Sequence, residues 1–353
     1  MKRSSILLCL LALIVTINVF VPKNMPVQAL GSSARGMCVI EASTGRVLYE
    51  QNKDRQLAMA STTKVVTALT VLNNCQDLEE EIVVSEKSVG IGGTSIYLRK
   101  GERLKVKDLL YGLMLRSGND AATALAIHVG GSVEKFAEMM EDTAKQCGAK
   151  HSSFANPHGL DEKEHYTTAY DLALISAKAL ENPIFREIVS TKNYQILATE
   201  KSEIRYLHNK NKLLSKLDGC IGVKTGFTDD AGRCLVSATE RNGMRVVCVV
   251  LNCGPMFEES TALLNQAHED YTMYKAVEAN THLANKAFYD DKNNLLYVYC
   301  KENIAYPIKA GEDKLFEINY KYHEKVKSSD NEVGTLEVYF KKHLIKTAKL
   351  YTI

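Results

Sequence analysis

The sequence is poor in the features that mark several large functional classes. Charge of one sign is missing: 44 Lys and Arg stand against 42 Asp and Glu, a formal net charge of +2, which argues against a nucleic-acid-binding surface. None of the nine histidines sits in an H-E-x-x-H arrangement, so no hydrolytic metal centre is legible. The cysteine spacings match no zinc or redox motif, and no cofactor is expected. Internal repeats and low-complexity tracts are absent, which excludes solenoids and long disordered linkers.

What remains is a chain of 353 residues, 45% hydrophobic, enough for one large domain and a small one. Lys2 and Arg3 precede an apolar run over residues 6–21, and Val27-Gln28-Ala29 offers small residues at a cleavage position. This pattern predicts an export signal over residues 1–29, with an uncleaved membrane anchor as the alternative. Its removal takes away Lys2, Arg3 and Lys23 and leaves a net charge of 2 − 3 = −1. Eight cysteines stay in the mature chain, several of them inside apolar strand-like runs such as residues 246–250, and are expected to be buried free thiols.

Two strand-like runs at residues 36–41 and 46–51, joined by Ser43-Thr44-Gly45, predict a hairpin. Val65, Ala68, Leu69 and Leu72 form the apolar stripe of a helix over residues 61–72, with Ser61 in its first turn. Helical periodicity dominates residues 105–190, with segments at 106–115, 121–129, 133–146 and 168–179. Three strands are expected at 220–225, 233–239 and 244–251, the last two joined through Asn242-Gly243. With the first hairpin they predict a five-stranded antiparallel sheet. A helix over residues 258–276 follows, then a β-rich remainder with strands near 295–300, 315–320, 335–340 and 345–353. The expected division is a catalytic domain over 30–277, with a helical subdomain over about 85–195, and a C-terminal β-rich domain over 278–353.

Three short motifs stand in order along this scaffold: Ser61-Thr62-Thr63-Lys64, Ser117-Gly118-Asn119 and Lys224-Thr225-Gly226. The sequence supplies its own decoys in Ser132-Val133-Glu134-Lys135 and Ser329-Asp330-Asn331, and both fall outside the required order. A serine three residues before a lysine on a helix places both side chains on one face, about 5–6 Å apart at Cβ. For Lys64 to take the Ser61 proton it must be neutral, and lowering its pKa from about 10.4 to about 7 corresponds to roughly 4.6 kcal/mol. Burial and a second cation, Lys224, act in that direction.

In these stretches, and in Met59-Ala60, Asn156-Pro157-His158-Gly159-Leu160 and Gly222-Val223 through Phe227-Thr228, the chain resembles the low-molecular-mass D-alanyl-D-alanine carboxypeptidases, a group of penicillin-binding serine peptidases. The match spans roughly residues 36–270. The resemblance implies an α/β penicillin-binding and β-lactamase-like fold: a five-stranded antiparallel sheet flanked by helices, a helical subdomain beside it, the site in the cleft between them, and a small C-terminal β-rich domain. It implies Ser61 as nucleophile, Lys64 as base, Ser117 as proton relay to the leaving D-alanine and Asn119 as positioner of Lys64 and the substrate amide. Lys224 and Thr225 would line the opposite strand edge, Gly226 would permit close approach, and the amides of Phe227 and Ser61 would form an oxyanion hole. The implied partners are peptidoglycan stem peptides, with β-lactam antibiotics as inhibitors.

Two departures stand out. Many relatives end in an amphipathic membrane-binding helix, whereas this sequence runs to Leu350-Tyr351-Thr352-Ile353 without that character, which leaves membrane association open. Relatives also carry an arginine after the last sheet strand that helps hold the substrate carboxylate; here Met256-Phe257-Glu258-Glu259 occupies the stretch, so recognition shifts to Lys224, Thr225 or a basic residue elsewhere. Two competing readings are a β-lactamase and a non-catalytic wall-binding or penicillin-sensing module. Glu162 and Glu164 do not form the E-x-x-L-N pattern of the first, and intact Ser61, Lys64 and Lys224 argue against the second. His158 and His165 lie in a family-like stretch but show no Asp-His-Ser order, and the tyrosine-rich tail reads as strand core and surface.

Overall fold

The computed structural model describes residues 32–283, 288–323 and 331–352. The expected export segment lies outside the described residues, as do Ser329 and Asp330 of one decoy. The chain opens with the hairpin β1 (Gly36–Glu41) and β2 (Val47–Gln51), then α1 (Lys64–Asn74), a short hairpin of β3 (Glu81–Val83) and β4 (Arg103–Lys105), and three helices, α2 (Val106–Leu115), α3 (Asn119–Gly130) and α4 (Val133–Gln146). Next come α5 (Ala169–Ala179), α6 (Pro183–Ser190), a hairpin of β5 (Asn193–Ile196) and β6 (Arg205–His208), and three long strands, β7 (Cys220–Thr228), β8 (Gly232–Arg241) and β9 (Met244–Leu251). Helix α7 (Met256–Asp270) leads into β10 (Thr272–Val277) and the short strands β11 (Phe288–Tyr289), β12 (Leu295–Leu296), β13 (Val298–Cys300) and β14 (Ile304–Ile308). The last three strands are β15 (Phe316–Tyr322), β16 (Glu332–Phe340) and β17 (His343–Thr352).

The main sheet has five strands in the order β2-β1-β9-β8-β7, and every pairing is antiparallel. Helix α5 packs on β1 and β9 while α7 packs on β8, β9 and β1. Every residue of β9 from Val246 to Leu251 is buried, so helices cover both faces of the sheet. The β8–β9 turn uses Asn242 and Gly243, both at positive φ, as the Asn-Gly pair predicts.

Local chemistry explains where the helices begin. Ser132 caps α4 by accepting from the Lys135 amide, which is the role of the first decoy serine: a helix cap. Thr168 caps α5, and Asn182 with Pro183 in the first turn starts α6.

Two expectations need correction. The helix expected over 258–276 stops at Asp270, and residues 272–277 turn into β10, because that strand pairs with β14. Ser61 stands before α1 rather than in it, within a 3-10 turn over Ala60–Thr63. The eight described cysteines are all free thiols, five of them buried.

In the C-terminal part, a four-stranded sheet of order β13-β17-β16-β15 encloses a core of Val298, Cys300, Val333, Leu336, Val338 and Leu350. Arg46, in the turn between β1 and β2, reaches into this part. Its guanidinium lies 4.7 Å from the Phe340 ring centre and 5.2 Å from those of Tyr271 and Tyr306. It pairs with Glu312 at 3.1 Å and donates to the Pro307 carbonyl. A cation ringed by aromatic faces and tied to a carboxylate fastens the two parts at one point.

Candidate active site

The site begins with a strained turn. Ala60 holds φ at +50°, a conformation that costs a non-glycine residue energy and persists only where its surroundings enforce it. Those surroundings are visible: Thr62 donates to the Met59 carbonyl at 2.6 Å, Thr63 donates to the Ala60 carbonyl at 2.8 Å, and Thr63 Oγ1 lies 2.8 Å from His165 Nε2. Gly159 packs so tightly on this turn that a Cβ there would meet the Ala60 carbonyl oxygen at 2.0 Å. The turn presents Ser61 and feeds directly into α1, whose first residue is Lys64.

Lys64 is fully buried, yet its amine is crowded with acceptors. Nζ stands 3.0 Å from Ser61 Oγ, 2.7 Å from Asn119 Oδ1 and 2.5 Å from the His158 carbonyl oxygen. Burial first, then the charges of Lys224 and Lys210, drive its pKa well below the usual lysine value, against a smaller opposing pull from Asp120. The geometry then assigns the protons. Amide and peptide carbonyl oxygens only accept, so a neutral amine spends both N–H groups on Asn119 and His158. Its lone pair is left facing the Ser61 hydroxyl.

Asn119 opens α3 and is fixed at its other end, where Nδ2 donates to the Gly92 carbonyl at 2.6 Å. Ser117 lies two residues before it, buried, with φ at +65° and no hydrogen-bond partner for its hydroxyl among the described residues. Asp120 follows Asn119 and organises the loop above: its carboxylate accepts from Ser95 Oγ and from the amides of Ile96 and Leu98 at 2.5–3.1 Å.

The opposite wall is β7, the edge strand of the sheet. A register shift between Cys220 and Gly222, with φ at +102° for Gly222 and +115° for Val223, bends the strand just before Lys224. Lys224 is buried, donates to the Thr225 carbonyl at 2.9 Å, and has its pKa lowered to about 7 by burial and by Lys210. A Cβ on Gly226 would stand 3.1 Å from Ser61 N and 3.0 Å from Thr62 N. What approaches this glycine closely is therefore the Ser61 turn itself. Phe227, next along, is exposed.

The structure thus joins Ser61, Lys64 and Asn119 by direct contacts, sets Ser117 beside Asn119, and brings the Gly226 backbone against the Ser61 turn. The sequence did not single out three groups that the structure places around Lys64: the His158 carbonyl, Asp120 and Lys210. Lys210 is exposed, lies 3.4 Å from Thr94 Oγ1, and acts electrostatically on both Lys64 and Lys224. It is a basic group of the kind the missing arginine left unplaced. The two histidines serve the scaffold, His158 through its carbonyl and His165 through Thr63; burial and the Lys64 charge push their imidazoles down to about 3 and about 4. Glu162 accepts from Asn156 at 3.1 Å.

Residues 23–254 match the family described as D-alanyl-D-alanine carboxypeptidase. The chain belongs to that family. It is a serine peptidase by family, and residues 271–353 match the C-terminal domain of penicillin-binding protein 5. Among curated relatives, the D-alanyl-D-alanine carboxypeptidase DacF of Bacillus subtilis is 32% identical over 292 residues, covering 80% of this chain and 75% of the relative. The D-alanyl-D-alanine carboxypeptidase of Streptomyces sp. strain K15 is 35% identical over 234 residues, 62% of this chain and 80% of the relative. The crystal structure of penicillin binding protein 5 from Haemophilus influenzae superposes with a TM-score of 0.77 at 25% identity, covering 94% of this chain and 98% of that one. The expected fold is thereby established for this member of the family. No helix among the described residues is long and apolar enough to cross a membrane.

Proposed function

We propose that this carboxypeptidase removes the terminal D-alanine from peptidoglycan stem pentapeptides through an acyl-enzyme on Ser61, and that β-lactam antibiotics acylate the same serine. The observation that carries the reading is the buried Lys64 amine, 3.0 Å from Ser61 Oγ with its two other close neighbours both carbonyl oxygens.

In this mechanism the Ser61 hydroxyl proton passes to Lys64 Nζ as Oγ attacks the carbonyl carbon of the penultimate D-alanine. The amides of Ser61 and Phe227 stabilise the oxyanion; loss of one such donor typically costs about 2.7–4 kcal/mol. The tetrahedral adduct collapses, the peptide C–N bond breaks, and the proton reaches the departing D-alanine amine by way of Ser117. Water then hydrolyses the Ser61 ester by the same steps in reverse roles. Asn119 holds Lys64 and the substrate amide, Thr225 lines the strand edge, and Lys224 with Lys210 supplies positive charge for the substrate carboxylate.

The proposed domain division is catalytic over 30–277 and β-rich over 278–353, and removal of residues 1–29 on export places the enzyme outside the cytoplasm, in the cell wall or on the outer face of the membrane. There it trims the wall and so bears on cell shape. Mass spectrometry of the mature protein after incubation with penicillin, and separately with a D-Ala-D-Ala pentapeptide, tests these points together. The expected results are an N-terminus at Leu30, a slowly released adduct on Ser61 and free D-alanine, with adduct and D-alanine both lost in Ser61→Ala. Rapid penicillin turnover without D-alanine release would instead indicate a β-lactamase.

A further inference from the structure

Helices α1 and α3 carry Lys64 and Asn119 at their N-terminal ends, and at their C-terminal ends they carry a second group of chemically capable side chains. Cys75 caps α1, its amide donating to the Val71 carbonyl at 2.8 Å, and His128 sits in the last turn of α3. Glu80, just ahead of β3, completes the group. The Cys75 sulfur, a Glu80 carboxylate oxygen and a His128 ring nitrogen all lie within 4.8 Å of one another.

The charge pattern around this trio is selective. In the acidic run of residues 79–81, Glu79 pairs with Lys105 at 2.8 Å and with Lys107 at 4.0 Å, and Glu81 pairs with Arg103 at 3.2 Å. Glu80 has no Lys or Arg partner among the described residues and faces His128 at 3.6 Å. A cavity of about 210 Å³ lined by Glu80, Ser85, Ser88 and His128 adjoins the trio and gives solvent access.

We propose that Cys75, Glu80 and His128 form a zinc site of thiolate, carboxylate and imidazole ligands, with water in the fourth position, that clips the C-terminal ends of α1 and α3 together. One sulfur, one oxygen and one nitrogen suit a borderline metal such as zinc better than magnesium or calcium, which take oxygen shells. Bonds of about 2.0–2.3 Å in a tetrahedron set the ligand atoms about 3.3–3.8 Å apart; the Glu80–His128 pair, at 3.6 Å, already has that spacing, and the Cys75 sulfur, within 4.8 Å of both, closes by at most about 1.5 Å. The Glu80 side chain, 51% exposed, has room for that movement. Binding converts the Cys75 thiol into a zinc thiolate and releases its proton to solvent, and the carboxylate and the imidazole nitrogen complete the protein ligands. No electrons are transferred. The metal draws together the far ends of the two helices whose near ends present the amine and the amide of the active site, and it touches neither.

The test uses the mature chain without a histidine tag, reduced, stripped with a chelator and titrated with Zn²⁺ alone and with Co²⁺ alone. One equivalent of Zn²⁺ is expected to bind with proton release and to raise Tm, and Co²⁺ is expected to develop a thiolate-to-cobalt charge-transfer band. Outer-sphere changes at metal sites already cost 10–100-fold in affinity, so Cys75→Ala is expected to lose the band and more than about 100-fold in Zn²⁺ affinity. His128→Gln keeps a thiolate and serves if Cys75→Ala folds poorly; it is expected to weaken Zn²⁺ binding by about tenfold or more. Cys147→Ala, which alters another partly exposed thiol, is expected to change neither readout. Absence of binding, a band that survives in Cys75→Ala, or unchanged affinity in His128→Gln overturns the site.

Discussion

Asn119 Oδ1 lies 2.7 Å from Lys64 Nζ, closer than the 3.0 Å that separates the same amine from Ser61 Oγ. The asparagine therefore controls where the amine points. Asn119→Ala frees one N–H and lets Nζ turn from the serine, and kcat/KM for D-alanine release is expected to fall by about 10²-fold, the lower end of the range for acid–base catalysis. Asn119→Asp separates electrostatics from geometry. A carboxylate against Nζ favours the ammonium and raises its pKa, so the acid limb of the pH profile moves to higher pH. An unmoved limb would show that Lys64 is not the titrating base.

The two lysines give opposite limbs to the pH dependence. As the proposed base Lys64 acts when neutral, so kcat/KM is expected to fall as pH drops through its lowered pKa. Lys224, lowered to about 7, attracts a carboxylate only when charged, so KM rises as pH climbs above that value. A bell is expected in kcat/KM, and a profile flat from about pH 5 to 9 would remove Lys64 as the base. Lys224→Arg stays charged throughout and is expected to weaken the alkaline limb.

Gly226→Ala tests the contact between β7 and the Ser61 turn. The added methyl meets backbone atoms of Met59, Ser61 and Thr62 at 3.0–3.1 Å, none of which can swing aside as a side chain would. A stability loss of about 1–3 kcal/mol is expected from overpacking. The rate of penicillin acylation is expected to fall more than tenfold, because the displaced amide is that of Ser61. Equal acylation rates in variant and parent would show that the turn absorbs the methyl without moving Ser61.

Glu102 and Arg205 hold the loop over the site from the side. The Glu102 side chain is fully buried and Arg205 is 11% exposed, with 2.8 Å contacts from both guanidinium nitrogens to the carboxylate. Arg205 also donates to the carbonyls of Ile96 and Tyr97. Burial opposes the Glu102 charge, but hydrogen bonds from Arg205, Ser202, the Arg99 amide and Thr199 outweigh it and hold the carboxyl at about 2. Glu102→Gln is expected to lose about 3–5 kcal/mol at neutral pH, since it leaves a buried guanidinium unpaired. A carboxyl with a depressed folded pKa stabilises fully above its unfolded pKa and loses that contribution as pH falls toward the folded one. Urea midpoints of parent and variant are therefore expected to converge between about pH 4.5 and 2.

Much of this architecture was legible before any coordinates. The runs at 106–115, 133–146 and 244–251 become α2, α4 and β9 with the same bounds, because their periodicity reports directly which face is buried. Residues 258–276 were less legible: nothing local distinguishes the end of α7 from the start of β10, whose identity depends on pairing with β14 about 30 residues later. That Ser61, Lys64 and Asn119 meet was readable because the motifs that carry them stand in a fixed order along the chain. The His158 carbonyl was not, since any residue supplies a backbone oxygen.

The sequence alone determined the family, the strand count and the order of the three motifs, because local periodicity and short-range spacing are written along the chain. The tertiary structure decided which protons Lys64 keeps, since that depends on burial and on acceptors from residues 119 and 158. It also brought Lys210 to the other two lysines and gathered residues 75, 80 and 128 at one corner. Electrostatic coupling and metal ligation follow distance in space, and only the folded chain sets that distance.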